Sequence, residues 1–460
     1  MCGIFGVRGH AHAAELVHLG LYSLQHRGQE SAGIVSVDDT GDAHVVKTMG
    51  LVSEGIDEAE MAGMTGDTGI GHTRYSTAGS SVLANAQPVL ASVRGGPVSL
   101  AHNGNLTNAT ELRQELENDG AIFSSTMDSE VIVHRLARSR AERPEQRLAE
   151  ALEGVEGAYS LLVLVGDTLM AARDPRGWRP LVMGSLDGAP VFASETCALD
   201  IIGAHVEREV LPGEIVVVDG AGTRTAMVMQ PKEQHRCVFE YVYFARPDSR
   251  VFGGSVDRAR RSLGRRLARE APTPGADLVF SVPDSSNSAA LGFAEESGLP
   301  YELALIRNHY VGRTFIQPTQ AGRDAKVRVK YNAVREVLDG KSVVMVDDSI
   351  VRGTTTRGLV AMIRSAGARE VHMRVSSPPV TGPCYYGIDT PNREELIGAN
   401  MTVAQIAEHI GVDSLGYLSL DGMLESVPDG PHGFCHACFS GDYPTPPPTD
   451  PDKLRRGCGC

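Results

Sequence analysis

The stretch Val343-Val344-Met345-Val346-Asp347-Asp348-Ser349-Ile350-Val351-Arg352-Gly353-Thr354-Thr355-Thr356 leaves this chain few ways to fold. Its apolar run reads as a buried strand that delivers two adjacent acids at its carboxyl end. A short Gly/Thr loop then opens a helix over Thr354–Ala366, which Gly367 ends. The flanking sequence repeats the pattern. Strands are expected at Asp277–Val282, Glu302–Ile306, Ser342–Val346 and Val371–Ser376, with a helix at Asn287–Ser297. A charged helix, Ser255–Glu270, precedes them and carries Ala259, Leu263 and Leu267 on one face behind a Ser255 cap. Strands alternating with helices of roughly 10–15 residues imply βαβ units on a mostly parallel sheet. Such sheets bind ligands outside the carboxyl ends of their strands.

Backbone N–H groups and hydroxyls at a helix N-terminus make a phosphate cradle. Two carboxylates beside a phosphate would repel it unless they meet hydroxyls or a metal, which points to a sugar phosphate with vicinal diols. An earlier strand end, Val282-Pro283-Asp284-Ser285-Ser286, is placed to add the Ser285 hydroxyl. The one basic cluster runs from Arg307 through Arg313 and Pro318 to Arg323, Lys326, Arg328 and Lys330. It reads as a lid that closes over a phosphate-bearing ligand and excludes water. Asp339-Gly340-Lys341-Ser342 ends like a nucleotide-binding loop, but Arg335 stands where the first glycine belongs. The string also precedes a strand instead of following one, so no nucleotide hydrolysis is implied.

Residues 2–230 have a different rhythm: Gly-rich, with β-like runs at Gly3–Val7, Ile34–Val37, Tyr159–Val165 and Glu214–Asp219. Helices are expected at Ala13–Gln25, with Leu16, Leu19 and Tyr22 on one side, at Ser125–Arg138 and at Pro144–Leu152. The chain opens Met1-Cys2-Gly3, so loss of one methionine would expose a cysteine with a thiol and a free α-amine on one residue. An α-amine titrates at roughly pH 7.7–8.0 and can accept the thiol proton itself. Three polar clusters fall in expected loops: Gly71 to Thr77, His102 to Leu106 and Ser124 to Glu130. Asn103 with Gly104 supplies an amide and a backbone N–H, the pair an oxyanion hole needs. Arg74 can fork onto a carboxylate, and Asp128 can hold an ammonium.

With Cys2-Gly3-Ile4, His26-Arg27-Gly28, Gly71-His72-Thr73-Arg74 and His102-Asn103-Gly104, this half resembles class II glutamine amidotransferases. The resemblance implies an α+β N-terminal-nucleophile (αββα) glutaminase domain. Cys2 is then the nucleophile, Asn103 and Gly104 form the oxyanion hole, and Arg74, Tyr75, Ser76, Thr77 and Asp128 hold glutamine. The Asp347–Thr355 string resembles the signature of α/β phosphoribosyltransferases. It implies that Asp347 and Asp348 contact the ribose hydroxyls of 5-phosphoribosyl 1-pyrophosphate, while Ser349, Arg352, Gly353, Thr354 and Thr355 hold the 5-phosphate, with Lys326 joining from the lid. Mg²⁺ is implied beside Ser285, Asp347 and Asp348.

The two halves together are similar to the glutamine phosphoribosylpyrophosphate amidotransferases. That family makes 5-phosphoribosylamine at the first committed step of purine synthesis. It implies purine nucleotides as feedback inhibitors, a homotetramer and a cytoplasmic location. The expected division is 2–230 for the glutaminase, 231–440 for the phosphoribosyltransferase with a cluster-binding segment, and 441–460 for a Pro-rich tail.

Eight cysteines without a secretory signal point to a reducing compartment. Cys435-His436-Ala437-Cys438 is a C-x-x-C hairpin suited to zinc or an iron–sulfur cluster, with Cys237 and Cys384 as the candidates for two further ligands. One branch of the family carries a [4Fe–4S] cluster on cysteines in this arrangement, which implies a structural cluster here. Many cluster-bearing relatives start with a cleaved propeptide, whereas this chain needs only methionine removal. The four cysteines bear directly on ligation and outweigh that departure. Cys197, Cys458 and Cys460 match no role.

Other class II amidotransferases need sugar-isomerase repeats or an ATP-pyrophosphatase loop, which this chain lacks. A net charge of −14 speaks against a nucleic-acid or anionic-membrane surface, and so against a DNA-binding regulator built on the second half. No apolar run approaches the ~18–20 residues that span a bilayer.

Overall fold

The computed structural model describes residues 1–38, 40–75, 80–93, 96–230, 232–309 and 329–448. In strand Gly3–Arg8, Ile4 and Phe5 point to opposite faces and both are fully buried, so the strand must be covered on both sides. Phe5 faces helix Ala13–Ser23, and Ile4 faces a second sheet. The first sheet has seven strands, ordered His205–Glu209, Val182–Leu186, Ala189–Ala193, Gly3–Arg8, Thr68–Arg74, Ser31–Val37 and Ala43–Met49. The second has six, ordered Gly222–Val228, Glu214–Asp219, Thr168–Arg173, Gly157–Val165, Gly96–Leu106 and Val89–Val93. Helices Ala109–Asn118, Glu130–Arg138 and Pro144–Leu152 cover its outer side. The result is the αββα layering of an N-terminal-nucleophile glutaminase.

Four expectations here need correcting. Two concern Gly71–Arg74 and His102–Leu106, expected in loops but lying in strands Thr68–Arg74 and Gly96–Leu106. Helix Ala13–Ser23 buries Ala13, Leu16, Val17, Gly20 and Leu21, while Leu19 and Tyr22 are 42% and 52% exposed. Steps of three residues drift round a helix, and only mixed steps of three and four hold one face. The second helix starts at Glu130 and not at Ser125. The Glu130 carboxylate accepts from the backbone N–H and hydroxyl of both Ser124 and Ser125, which keeps residues 124–129 as a loop.

In the second half, strands Leu278–Ser281, Ser342–Asp347, Glu370–Val375 and Ser414–Tyr417 form a fully parallel sheet in that order. Val344 and Val346 pack against helices Val256–Glu270 and Asn287–Ser297. Val343 and Met345 pack against helix Thr354–Ser365. This is the α/β phosphoribosyltransferase fold. The strand expected at Glu302–Ile306 meets this sheet only at its start. There Tyr301 forms a parallel bridge with Val279, and the Glu302 N–H donates to the Val279 carbonyl. Beyond it, Leu305–Arg307 pairs antiparallel with Tyr331–Ala333. The fourth parallel strand, Ser414–Tyr417, was not expected, because four residues that include a glycine give almost no β signal. Tyr443 and Thr445, in the stretch read as tail, are bonded to Pro383 and Tyr386. Cys458 and Cys460 lie outside the described residues.

Helices Val256–Glu270 and Asn287–Ser297 touch backbone to backbone through two glycines. A Cβ on Gly264 would fall 1.8 Å from the Ala289 carbonyl oxygen, and one on Gly292 would fall 2.1 Å from that of Arg261. Gly292→Ala is therefore expected to force the helices apart and cost about 1–3 kcal/mol. Denaturant melts of both proteins check this, and an unchanged midpoint would contradict it.

Candidate active sites

Cys2 begins the first strand, is 7% exposed, and its thiol lies 3.7 Å from the Tyr75 carbonyl oxygen. Pairing of Gly3 with Thr73 brings Arg74 and Tyr75 beside it. These residues line one pocket with Gln87, His102, Gly104, Met127 and Asp128. Ala101 faces the space between the sheets, as Ile4 does, so strand alternation turns Asn103 and Cys2 toward that same space. The Asn103 side chain is fully buried, yet neither its Nδ2 nor its Oδ1 has a partner among the described residues. An unsatisfied buried amide costs about 1–3 kcal/mol, so this one has hydrogen-bonding capacity that a ligand could meet. Gly104 has φ +155°, and a Cβ there would fall 2.0 Å from the Ala158 carbonyl oxygen. Only glycine fits.

Asp128 and His102 face each other at 3.6 Å. Burial pushes the Asp128 carboxyl up, but His102 and the Leu106 N–H outweigh it and hold it below the usual carboxylate range. Burial likewise lowers the His102 imidazole, and Asp128 reverses the shift to a net rise. His72 has no such partner, and burial drops it to about 3, so it stays neutral. Arg74 spans 2.5 Å to Glu30 and 3.2 Å to the Ser80 carbonyl. Ser76 and Thr77 lie outside the described residues. Gln87 was missed in the sequence: it accepts from the His102 N–H at 2.8 Å and donates to Ser129 at 3.1 Å. A lone glutamine carries no motif that would have marked it.

A buried ion cluster fixes the nucleophile strand. Arg27 donates to the Cys2 carbonyl at 2.9 Å, to Glu195 at 2.5 Å and to both Glu240 oxygens at 3.0 and 2.8 Å. Burial alone would weaken the Arg27 guanidinium as a base, but the two carboxylates raise it. Glu195 is held far below its usual range by His26 and Arg27, against burial.

At the second site, strand Ser342–Asp347 ends in the two acids as read. Asp348 accepts from Ser285 at 2.5 Å and Ser349 at 2.7 Å, and Asp347 accepts from Ser286 at 3.1 Å. Burial pushes both carboxyls up, and the charge of Asp348 pushes Asp347 further. Gly353 takes φ +74° at the N-cap of helix Thr354–Ser365, and Thr354 and Thr355 stand exposed in its first turn. Arg352 turns away to Glu395 at 2.9 Å. Lys326 and the rest of the lid from Tyr310 to Arg328 lie outside the described residues. At its edges, Arg307 reaches Asp284 at 2.7 Å and Lys330 sits close enough to act on Asp347.

Four cysteines converge between the halves. Cys237 and Cys435 are partners in a parallel bridge, and the Cys438 carbonyl accepts from Thr381 and Gly382, just before Cys384. Burial, and after it the neighbouring thiols, push Cys435 and Cys438 well up; burial takes Cys237 to about 11. Bare, the three would stay protonated, so a bound cation is what would ionise them. Among the described residues no three His, Cys, Asp or Glu side chains are grouped to hold a metal ion, which bears on zinc and on a cluster alike. Cys197, pushed up to about 12 by burial and Glu195, is an inert core thiol.

Residues 72–200 match the family model described as a glutamine amidotransferase domain. The chain is 50% identical over 457 residues to amidophosphoribosyltransferase 2, chloroplastic, of Arabidopsis thaliana, covering 99% of this chain and 81% of that one. It is 48% identical over 450 residues to the amidophosphoribosyltransferase of Bacillus subtilis, covering 96% and 94%. Among solved structures, the B. subtilis glutamine phosphoribosylpyrophosphate amidotransferase complexed with ADP and GMP superimposes with a TM-score of 0.91 at 47% identity, covering 98% of each chain.

The raised carboxyls at 347 and 348 cost stability when they ionise, because the unfolded chain gives up those protons at lower pH. Asp347→Asn removes one charge of the pair. It is expected to raise the melting temperature at neutral pH by about 2–4 °C, the scale of 1 kcal/mol in a domain of this size. The gain should shrink as the pH falls and Asp347 becomes protonated. Thermal melts across a pH series check both points, and a variant that melts lower throughout would contradict them.

Proposed function

The chain belongs to the amidophosphoribosyltransferases, and we propose that it makes 5-phosphoribosylamine from glutamine and 5-phosphoribosyl 1-pyrophosphate using two coupled sites. The observation that carries the glutaminase half is the buried Asn103 amide, without a partner among the described residues, on the side of the strand that faces Cys2. Removal of Met1 frees the Cys2 α-amine, which takes the thiol proton as Sγ attacks the glutamine carboxamide. Asn103 Nδ2 and the Gly104 N–H stabilise the oxyanion, and loss of one such donor typically costs 10²–10³-fold in rate. The proton then leaves with ammonia, and water releases glutamate from the thioester. Arg74 and Asp128 hold the substrate's carboxylate and ammonium, with Tyr75, Ser76 and Thr77 closing round it. Arg74 must exchange part of its contact with Glu30 to do so.

At the second site, Asp347 and Asp348 accept from the ribose hydroxyls while Ser349, Gly353, Thr354 and Thr355 cradle the 5-phosphate. Arg352 and Lys326 approach from the rim. Ammonia attacks C1 as pyrophosphate departs, and a closed lid keeps water from competing. The raised carboxyls fit a site that ionises when a cation arrives; Mg²⁺ held by Ser285, Asp347 and Asp348 would neutralise charge on the departing pyrophosphate.

Cys237, Cys384, Cys435 and Cys438 are assigned a structural [4Fe–4S] cluster, supported by the backbone pairing of Cys237 with Cys435 and by the bonds from Thr381 and Gly382 to Cys438, which bring three segments together. A reducing compartment, the cytoplasm, fits these free thiols, and no helix among the described residues is long and apolar enough to cross a membrane. Inhibition by purine nucleotides is proposed from the relative complexed with ADP and GMP.

Glutamate release measured with and without 5-phosphoribosyl 1-pyrophosphate tests the coupling: the sugar is expected to stimulate it strongly, and independence would refute it. Cys2→Ser should abolish glutamine-dependent synthesis and spare ammonia-dependent synthesis; equal loss of both would refute the two-site assignment. Iron and zinc counts on anaerobically purified protein test the cluster, with about four irons per chain expected.

A further inference from the structure

The oxyanion strand is not shaped by the glutaminase half alone. Three residues after Cys384, Gly387 adopts φ +107°, and a Cβ there would lie 2.9 Å from the Gly104 carbonyl carbon and 3.0 Å from its Cα. Two residues earlier, the Tyr385 carbonyl accepts from Asn105 Nδ2 at 2.9 Å. The Tyr386 carbonyl between them accepts from Arg179 at 3.0 and 2.5 Å. Backbone from the second half thus lies against the Gly104 peptide, with a hydrogen bond one residue beyond it.

The other end of this segment is tied into the cysteine centre. Cys384 Sγ accepts from the Tyr386 N–H at 3.4 Å, and the Cys384 N–H donates to Thr390 at 2.6 Å. The Tyr386 ring stacks on Trp178 at 3.9 Å, and the Trp178 carbonyl accepts from the Cys237 N–H at 3.1 Å.

We propose that residues 385–387 are positioning residues for the glutaminase: anchored at Cys384, they hold the Gly104 peptide where its N–H meets the oxyanion formed at Cys2. This rests on the glutaminase reading above. A rigid support of this kind is what oxyanion catalysis requires, because displacement by about 1 Å can cost 10²-fold in rate. Gly387 is glycine because any side chain would push on Gly104. Asn105 is polar in a buried strand because it fastens the two halves together.

Gly387→Ala is the direct test. It is expected to lower kcat for glutamine-dependent synthesis about ten- to a hundredfold, with little change in KM for glutamine and with ammonia-dependent synthesis intact. Labelling of Cys2 by a glutamine-shaped diazoketone, whose ketone oxygen occupies the oxyanion position, should slow in parallel. Alkylation by iodoacetamide, which needs no oxyanion hole, should not. Should Gly387→Ala fail to fold, Asn105→Ala removes the clamp without adding bulk and is expected to give the same split. Thr390→Val tests the anchor by removing the acceptor of the Cys384 N–H while leaving the thiol in place: the same split is expected. Equal loss of ammonia- and glutamine-dependent synthesis, or unchanged diazoketone labelling in both Gly387→Ala and Asn105→Ala, would overturn the proposal. An unchanged Thr390→Val would overturn the anchor. Absence of glutaminase activity in the unaltered protein would instead refute the underlying reading.

Discussion

Arg27 is the residue on which the architecture turns. Its guanidinium is wholly buried, and moving such a charge out of water costs several kcal/mol unless every donor finds an acceptor. Here the donors reach the Cys2 carbonyl, Glu195 and Glu240. Glu240 belongs to the second half, and Glu195 in turn accepts from the Arg246 N–H and the Ser249 hydroxyl. Separating the halves would strand buried charge on both sides. Breaking a buried pair typically costs about 3–5 kcal/mol, so the junction holds the start of the nucleophile strand in one place.

The two carboxylate sites are built on opposite electrostatics. Asp128 is buried beside His102, and a donor from Leu106 helps keep its charge, so it is ready to meet a cationic group without rearrangement. Asp347 and Asp348 are buried beside each other, and hydroxyls, a backbone N–H and the charges of Lys330 and Arg260 relieve them only in part. The charge of Asp128 is met within the fold. The second pair carries an unmet demand for positive charge or hydroxyl donors, which fits the proposed ribose and divalent cation. That difference suits a pathway in which the second substrate's arrival is the event that switches the pair on.

The sequence disclosed whatever rests on local pattern. The Asp347–Thr355 string, the Ser255 cap and the 259/263/267 stripe all depend on neighbours within one strand or helix turn, and each lies where it was read. Features that depend on distant partners were illegible. Nothing local in Glu240 marks it as the partner of Arg27, 213 residues away. Ser286, next to the expected Ser285, joins the acid pair only because strand Leu278–Ser281 lies beside strand Ser342–Asp347. Gly387 sits in an unremarkable stretch, and Asn105, though inside the His102–Leu106 cluster, had no local mark of its contact with Tyr385 across the domain junction. Helix Ala13–Ser23 failed for a geometric reason: Leu19 and Tyr22 lie at spacings that look periodic but rotate away from the sheet.

The same ion cluster bears on reactivity as well as position. The α-amine at the chain's start is surrounded by protein, and after burial itself the cations Arg179 and Arg27 are what lower its basicity. A positive charge on the Met1 amine beside two guanidiniums is disfavoured. Glu195 and Glu240 prevent the guanidiniums from becoming an uncompensated charge in the core. A lysine in place of Arg27 could reach one carboxylate but could not fork onto Glu240 while also holding Cys2 and Glu195. Positioning of the Cys2 carbonyl and union of the two halves are therefore one design problem, solved by one planar cation.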